Sequence, residues 1–360
     1  MKAVRRRAVV SAPVAGLLVG GGTFAAVQHR SRGGERDDEA GTTWAPLRGA
    51  APATHAEILA LDSLRPASDG AGLRDLLQAV EGADGGGVDA WLGLGTGIFR
   101  GEGHDERRPR RLKKMPSFVG DLLDPQMSHG DALVQVTGEK TARVREAADQ
   151  VVRSLAPSWQ VRWRVKGRRE ENRVEAGKAL MRNPFHFTEG FGNPDDPEQV
   201  IVRAGQGEPT WAAGGTYQVV RIIRMATELW DQDSAEEQEK IMGRRRDGRW
   251  LDGTPASEEP VFAADSQGRA TPLNSHVRMA APDRRNRPAM IRRSYAYDQG
   301  EGDTGLLFSC FQPDLEKGFE TVQKRLEGEA MAKYLLTVGG GYFFVPPPGD
   351  TWLNMLLPAA

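Results

Sequence analysis

Cysteine is almost absent from this sequence, since Cys310 is the only one among 360 residues. An intrachain disulfide is therefore impossible, and a thiolate-ligated metal cluster would lack its ligands. Cys310 stands in the apolar run GLLFSCF, where a small buried core residue is expected rather than a reactive thiol.

A large net charge of either sign is also missing, because 48 basic side chains nearly cancel 49 acidic ones and leave a formal charge of −1. No basic stripe interleaved with aromatic residues is present, so nucleic acid is not expected as a partner. The basic run RRPRRLKK at 107–114 is interpreted as a solvated loop rather than a binding patch. Hydrophobic residues make up 39% of the chain, which is ordinary for a soluble globular protein.

Nucleotide-binding and zinc-binding motifs are missing as well. The glycine-rich pieces GTGIFRGEG (95–103) and GGG (339–341) lack the order of strand, GxGxxG and helix, and no GxxxxGK[ST] occurs. HExxH is absent and CxxC is impossible, so zinc is not expected. The segment PDDPE (194–198) lacks the ligand spacing of a calcium loop and predicts a turn.

The first 50 residues predict a signal and a linker. Arg5, Arg6 and Arg7 precede a weakly hydrophobic run, Ala8 to Val27, and a polar stretch follows. Paired arginines favour the twin-arginine route, which carries folded proteins, so export to the cell envelope or the extracellular space is expected. A retained membrane anchor is the alternative, although four glycines make this run a poor spanning helix. No stable membrane partner is expected.

Residues 51–180 show two successive strand–helix–strand patterns, which are typical of a ferredoxin-like α+β domain. The predicted strands are Glu57–Leu64, Asp89–Phe99, Ala132–Val136 and Gln160–Val165, and the predicted helices are Gly72–Val80 and Thr141–Leu155.

Residues 181–360 repeat this rhythm, so the sequence predicts two ferredoxin-like halves with antiparallel sheets. Ser234 and the acidic residues after it are typical of a helix start. Residues 244–304 form a long insertion with little regular pattern, and such insertions are usually functional or disordered. The predicted strands are Thr216–Ala226, Gly305–Phe311 and Gly339–Val345, and the predicted helices are Ser234–Met242 and Leu315–Leu326.

Three separate segments supply an acid, a histidine and an arginine, the residue types that a haem peroxidase uses. Glu189 stands at a glycine-rich turn in NPFHFTEGFGNP (183–194), and Arg292 begins the pair Arg292-Arg293. His276 lies in TPLNSHVRMAAP, where a short helix with one apolar side would make it a candidate axial haem ligand. Taken alone, a structural or exposed histidine is the commoner role.

Several ordered strings resemble the dye-decolorizing (DyP-type) haem peroxidase family, from about Glu57 to the C-terminus. FTEGFGNP (187–194) resembles the family signature Phe-x-Asp-Gly-x-x-Asn-Pro, with Glu189 in place of the aspartate. The other matching strings are MPSFVGDLLDPQMSHGDALVQV (115–136), GGTYQVVRIIRMATELWDQDSAEEQEKIMGRRRDG (214–248), TPLNSHVRMAAP (271–282), AMIRRSYAYDQG (289–300), GLLFSCFQPDLEKGF (305–319) and VGGGYFFVPP (338–347).

The resemblance implies a haem b cofactor held mainly by the C-terminal half. It implies hydrogen peroxide and an organic, dye- or phenol-like reductant as substrates, and it leaves a homo-oligomer open. His276 would be the proximal iron ligand, with Glu189 and Arg292 as the distal acid and arginine. The resemblance further places Phe187, Gly190 and Asn193 among the cofactor-binding residues.

Peroxide chemistry explains why these residue types belong together. A distal carboxylate can carry the peroxide proton, which is worth roughly 10²–10⁴-fold in rate. A guanidinium stabilises negative charge that develops on the departing oxygen. The proximal imidazole needs an acceptor for its second nitrogen, and Asp314 in FQPD is a candidate. Trp230 and Tyr295 are candidate electron relays, with core packing as the alternative.

Departures from the family pattern raise a second interpretation. Glutamate at 189 moves the carboxylate by over an ångström, and errors of that size can cost about 100-fold in rate. His186 would either act as a second distal base or crowd the peroxide. Ser294 stands where a glycine often follows the arginine pair. An exported haem-binding or haem-iron release protein, with weak or redirected peroxide chemistry, is therefore the alternative function.

Overall fold

The computed structural model describes residues 45–47, 51–65, 70–100, 105–156, 158–175, 178–256, 258, 261–283 and 287–357. The predicted signal and most of the linker lie outside these residues. Within the described part of the chain, no helix is long and apolar enough to cross a membrane.

The described residues contain twelve strands and seven α-helices. The strands are β1 (His55–Ser63), β2 (Val88–Leu94), β3 (Ala132–Gly138), β4 (Trp159–Arg168), β5 (Glu170–Glu175), β6 (Lys178–Arg182), β7 (Thr188–Glu189), β8 (Thr216–Met225), β9 (Ile291–Arg292), β10 (Tyr295–Asp298), β11 (Thr304–Gln312) and β12 (Leu335–Val345). The helices are α1 (Gly70–Glu81), α2 (Thr141–Leu155), α3 (Thr227–Trp230), α4 (Ala235–Met242), α5 (His276–Ala280), α6 (Thr321–Arg325) and α7 (Thr351–Leu356).

The two halves have the same strand order. In the first half the antiparallel order is β4-β1-β3-β2, with α1 and α2 as the connecting helices. In the second half the order is β12-β8-β11-β10, again antiparallel. Each strand takes the place of its counterpart in a β-α-β-β-α-β unit, so the predicted pair of ferredoxin-like halves is confirmed.

The two four-stranded sheets join at both edges. Strand β2 pairs with β12 at Leu94 and Phe344, and β4 pairs with β10 at Arg168 and Ala296. The eight strands therefore close into one continuous sheet. Amphipathic periodicity explains how the helices attach, since α2 buries Val144, Ala148 and Val151 along one face.

Two short strands outside this arrangement carry site residues. Strand β7 pairs with β6 in a separate three-stranded sheet, which places Glu189 opposite Met181. Strand β9 pairs with β11, which places Arg292 opposite the buried Cys310. Cys310 is fully buried in the core, so its predicted core role is confirmed, and burial raises the pKa of its thiol.

Two predicted elements are interrupted. The strand predicted through Phe99 ends at Leu94, and a 3-10 turn follows. The helix predicted from Leu315 to Leu326 begins with a π-helical turn and is broken at Gly318, whose φ of −90° and ψ of −108° are not helical. A Cβ at Gly318 would lie 2.3 Å from the Gln312 Oε1, so a larger residue there would have to displace that buried side chain.

Candidate functional site

A cavity of about 470 Å³ lies among the second-half strands, α5 and the loop after β7. Its volume is in the range of cofactor pockets, which are largely apolar with a few convergent polar groups. Most of its lining comes from the second half, while Arg169 and residues 119–121 come from the first. The predicted residues Phe187, Glu189, Gly190, His276 and Arg292 all line it.

His276 is the first residue of α5 and lines the cavity. Its Nδ1 lies 2.6 Å from the Oε2 of Glu329, whose side chain is only 6% exposed. A carboxylate at this distance accepts a hydrogen bond from the Nδ1–H group. Nε2 is therefore the ring atom that is left to bind a metal. Burial lowers the pKa of His276, but the carboxylates of Glu329 and Glu189 outweigh it, and the pKa is raised overall.

Asp314 does not serve the histidine, so the prediction for this residue was wrong. Its Oδ2 accepts a hydrogen bond of 2.5 Å from the Nε of Arg111, and its Oδ1 accepts from the backbone of Glu316 and Lys317. Arg111 belongs to the basic run at 107–114, which therefore includes a structural ion pair besides its exposed residues. Glu329 is the acceptor for His276 instead.

The loop after β7 fixes the position of Arg292. The Asn193 Oδ1 accepts from the Arg292 backbone N at 3.0 Å and from its Nε at 3.3 Å, and the Asn193 Nδ2 donates to the Arg292 carbonyl at 3.1 Å. The Arg292 Nη2 donates to the Phe191 carbonyl. Burial lowers the pKa of Arg292, and the negative charge of Glu189 raises it by a smaller amount. The guanidinium nevertheless remains charged at any working pH. The predicted contact of Asn193 with the cofactor stays a prediction.

The carboxylate of Glu189 is held by a hydrogen bond from Asn183. The Asn183 Nδ2 donates to the Glu189 Oε1 at 2.7 Å. Two glycines let the chain turn immediately afterwards, because Gly190 and Gly192 have φ values of 106° and 85°. At Gly192 a Cβ would lie 3.2 Å from the Arg287 Nη1, so a side chain there would press on the arginines beside the cavity.

His186 points away from the cavity, and both predictions for it were wrong. Its Nε2 lies 3.2 Å from the Oδ1 of Asp231, and both side chains are about half exposed. The residue has a φ of 68°, a left-handed backbone conformation that costs a non-glycine residue some strain. Ser294 does line the cavity, and its carbonyl accepts a hydrogen bond of 2.9 Å from Arg169.

The candidate relays differ in their surroundings. The Trp230 ring stacks on Phe185 with centroids 4.4 Å apart and meets Tyr334 edge-on at 4.8 Å. Phe185 lines the cavity, and the Tyr334 hydroxyl donates to Asp233, whose side chain is 29% exposed. Tyr295 packs in the core between the two halves and does not line the described cavity.

The site also contains polar residues that the sequence did not indicate. Asn183 holds Glu189 and Glu329 holds His276. Arg169, which belongs to the first half, adds a positively charged side chain to the cavity wall. Burial lowers the pKa of Arg169, and the charge of Glu189 works against that effect. No motif marks Arg169 or Glu329, which reach the site by folding across long stretches of chain, whereas Asn183 lies only six residues before Glu189 in the string NPFHFTEGFGNP.

The donor set suits haem better than a bare metal ion. Within the described residues, no group of three or more His, Cys, Asp or Glu side chains could hold a metal. A single imidazole with a buried carboxylate behind it is the protein's share of a haem iron site, since the porphyrin supplies four ligands. The residues present therefore fit haem.

Two family models match the chain over most of its length. The model described as "Dyp-type peroxidase, N-terminal" matches residues 56–169, and "Dyp-type peroxidase, C-terminal" matches residues 180–350. The boundary predicted at 180/181 stays a prediction.

Solved and curated relatives show the same similarity. The DyP-type peroxidase from Cellulomonas bogoriensis is 30% identical, with a TM-score of 0.75 over 86% of this chain and 94% of that one. Ferric DtpA from Streptomyces lividans is 28% identical, with a TM-score of 0.76 and the same coverage of 86% and 94%. The Deferrochelatase of Escherichia coli (strain K12) is 37% identical over 277 residues, which is 71% of this chain. The chain spans 64% of that relative's length, less than two thirds.

Proposed function

The chain belongs to the Dyp-type peroxidase family and its cofactor is haem, and we propose that it reduces hydrogen peroxide while oxidising an organic reductant. The observation that carries the proposal is a single cavity lined by His276, Glu189 and Arg292. Each peroxide would give two water molecules, and two one-electron oxidations of a dye- or phenol-like reductant would supply the electrons.

Four side chains have distinct roles in this proposal. Bound haem supplies the iron at which peroxide binds and is reduced. His276 would hold the cofactor through Nε2, while Glu329 fixes the imidazole ring through Nδ1 and would raise its basicity. Glu189 would take a proton from one oxygen of the peroxide and return it to the other oxygen, which departs. Arg292 stabilises negative charge on the departing oxygen, because it is permanently charged and fixed by Asn193.

Electron transfer through the protein would serve reductants too large for the cavity. The contacts from Phe185 through Trp230 to Tyr334 support this route, since they lead from the cavity wall to the partly exposed Asp233. Tyr295 has no comparable position.

We also propose that the protein is exported through the twin-arginine machinery. The support is the order of Arg5–Arg7, the weakly hydrophobic run Ala8–Val27 and the polar segment after it. A protein that carries a buried cofactor suits a route that moves folded chains.

Peroxide mixing tests the proposal. The haem-loaded protein is mixed with hydrogen peroxide in a stopped-flow spectrometer, and the haem absorption spectrum is followed. We expect a new spectrum within seconds that returns to the first one when a phenol or dye is added. Slow bleaching alone would contradict a peroxidase.

The second candidate is a haem-iron release protein, which the 37% identity to a Deferrochelatase favours. In that case the haem absorption would decay without peroxide, and the fluorescence of metal-free porphyrin would rise in its place.

A further inference from the structure

Both polar atoms of the Asn183 side chain are engaged in hydrogen bonds. Asn183 directly follows β6, is 4% exposed and lines the cavity. Its Oδ1 accepts from the backbone N of Phe185 at 3.1 Å and of Phe187 at 2.9 Å. Its Nδ2 donates to the Glu189 Oε1 at 2.7 Å. Its backbone N also donates to the Phe187 carbonyl at 2.9 Å, which closes the loop from 183 to 187.

This set determines which way the amide faces. Two backbone N–H groups need an acceptor, so the atom facing Phe185 and Phe187 must be the carbonyl oxygen. The NH₂ group is then obliged to face Glu189. An amide N–H donates a hydrogen bond but does not exchange its proton with a carboxyl group at ordinary pH. The Glu189 Oε1 is therefore permanently engaged as an acceptor, whichever oxygen carries a proton.

We propose that Asn183 is a positioning residue for Glu189, and that it assigns proton transfer to the Oε2 atom alone. Glutamate has one more rotatable bond than aspartate, and that freedom would spread the carboxylate over several positions. Anchoring Oε1 removes this freedom and presents Oε2 in one orientation. Glutamate, although it is longer than aspartate, thus keeps its carboxylate in the precise position that general acid–base catalysis requires.

The inference rests on the proposed function, so its test uses a probe that needs proton transfer but no turnover. Hydrogen cyanide must lose its proton to a distal base when it binds ferric haem, whereas carbon monoxide binds ferrous haem without proton transfer. Cyanide association therefore reports on the position of Oε2, and carbon monoxide association reports on access to the cavity.

Asn183→Asp is the informative variant, because an ionised aspartate keeps an oxygen for the Phe185 and Phe187 N–H groups but offers Glu189 no donor. In the haem-loaded protein we expect cyanide association to slow by about 10- to 100-fold, as positioning errors near an ångström do. Carbon monoxide association should stay within about twofold. Asn354→Asp makes the same chemical change at an exposed site, and both rates should be unchanged.

Glu189→Asp provides a second variant should Asn183→Asp fail to fold. Shortening the acid by one carbon, roughly 1.5 Å, withdraws it from the Asn183 Nδ2. We expect cyanide association to slow by about tenfold or more, although aspartate is the residue of the family signature. A rate equal to or faster than that of the wild type would overturn the inference.

The two proposals fail separately. Unchanged cyanide association in a folded Asn183→Asp variant overturns the positioning role, whatever peroxide does. A wild-type protein that fails to respond to peroxide contradicts the peroxidase proposal, yet a slower cyanide reaction of Asn183→Asp would still support the positioning of Glu189. Equal slowing of cyanide and carbon monoxide would show a general distortion of the cavity and would also overturn the inference.

Discussion

His276 is the residue on which cofactor retention depends. Its Nδ1 is engaged by Glu329 at 2.6 Å, and no second histidine lines the described cavity. Without the imidazole, the porphyrin would be held only by packing against the cavity wall and by contacts to its polar edge. Glu329 would remain as a buried carboxylate without its partner, and such a group is costly.

His276→Ala is therefore expected to lose haem. The variant should show little Soret absorption after gel filtration, whereas His186→Ala should retain wild-type haem content because His186 points outward. Haem content is measured by pyridine haemochrome absorbance. A normal Soret band in His276→Ala would refute the ligand assignment.

At this scale the sequence indicates the residues that motifs contain, and it misses those that fold into contact with them. Glu189, His276 and Arg292 stand in ordered strings, so their shared cavity could be expected. Glu329 lies 53 residues from His276 with no spacing rule between them, whereas Asp314 was the acceptor that the sequence suggested. Only the three-dimensional arrangement separates the two carboxylates.

The segment from Asp314 to Arg325 illustrates what holds an irregular element in place. Asp314 accepts from two backbone N–H groups at the start of the π-helical turn and from Arg111 at 2.5 Å. Burial raises the pKa of the Asp314 carboxyl, but these backbone and arginine donors outweigh it, and the pKa is lowered overall.

Asp314→Asn should destabilise the protein in a pH-dependent way. Because the folded-state pKa lies below the unfolded value of about 3.9, the stabilisation is complete above that pH and is lost as pH falls through the folded-state pKa. Charge-assisted hydrogen bonds of this kind suggest a loss of about 1–3 kcal/mol at pH 7. Denaturant unfolding at pH 7 and at successively lower pH measures it. A difference from wild type that persists undiminished at low pH would contradict this explanation.

The periodicity of apolar residues predicts the helices and strands well, but it does not predict where they are interrupted. The helix Thr141–Leu155 has the bounds that its apolar spacing indicates, and Ser234 caps α4 by accepting from the Glu237 N–H. The break at Gly318 arises because the Gln312 side chain accepts from the Phe319 N–H at 2.6 Å. A side chain from a neighbouring strand that enters a helix has no signature in the helix sequence.

Across the whole molecule, cofactor binding and folding should be coupled. The cavity is lined by both halves, so a ligand that fills it stabilises the folded chain and not the unfolded one. A ligand at about 100 times its Kd adds about 2.7 kcal/mol.

Haem removal should therefore lower the thermal unfolding midpoint, as followed by circular dichroism. Addition of haem should restore it for the wild type and much less for His276→Ala. Equal midpoints for the haem-free and haem-loaded wild type would show that the cavity does not contribute to stability in this way.

The closed sheet sets a limit on how this molecule can be divided. Strands β2 and β4 are covered by β12 and β10, so a half expressed alone would expose both of its outer strands. Uncovered strand edges recruit further strands from other molecules and lead to aggregation. Carrying both halves on one chain keeps the partner strands of each edge close by, at an effective concentration set by the short connection between the halves.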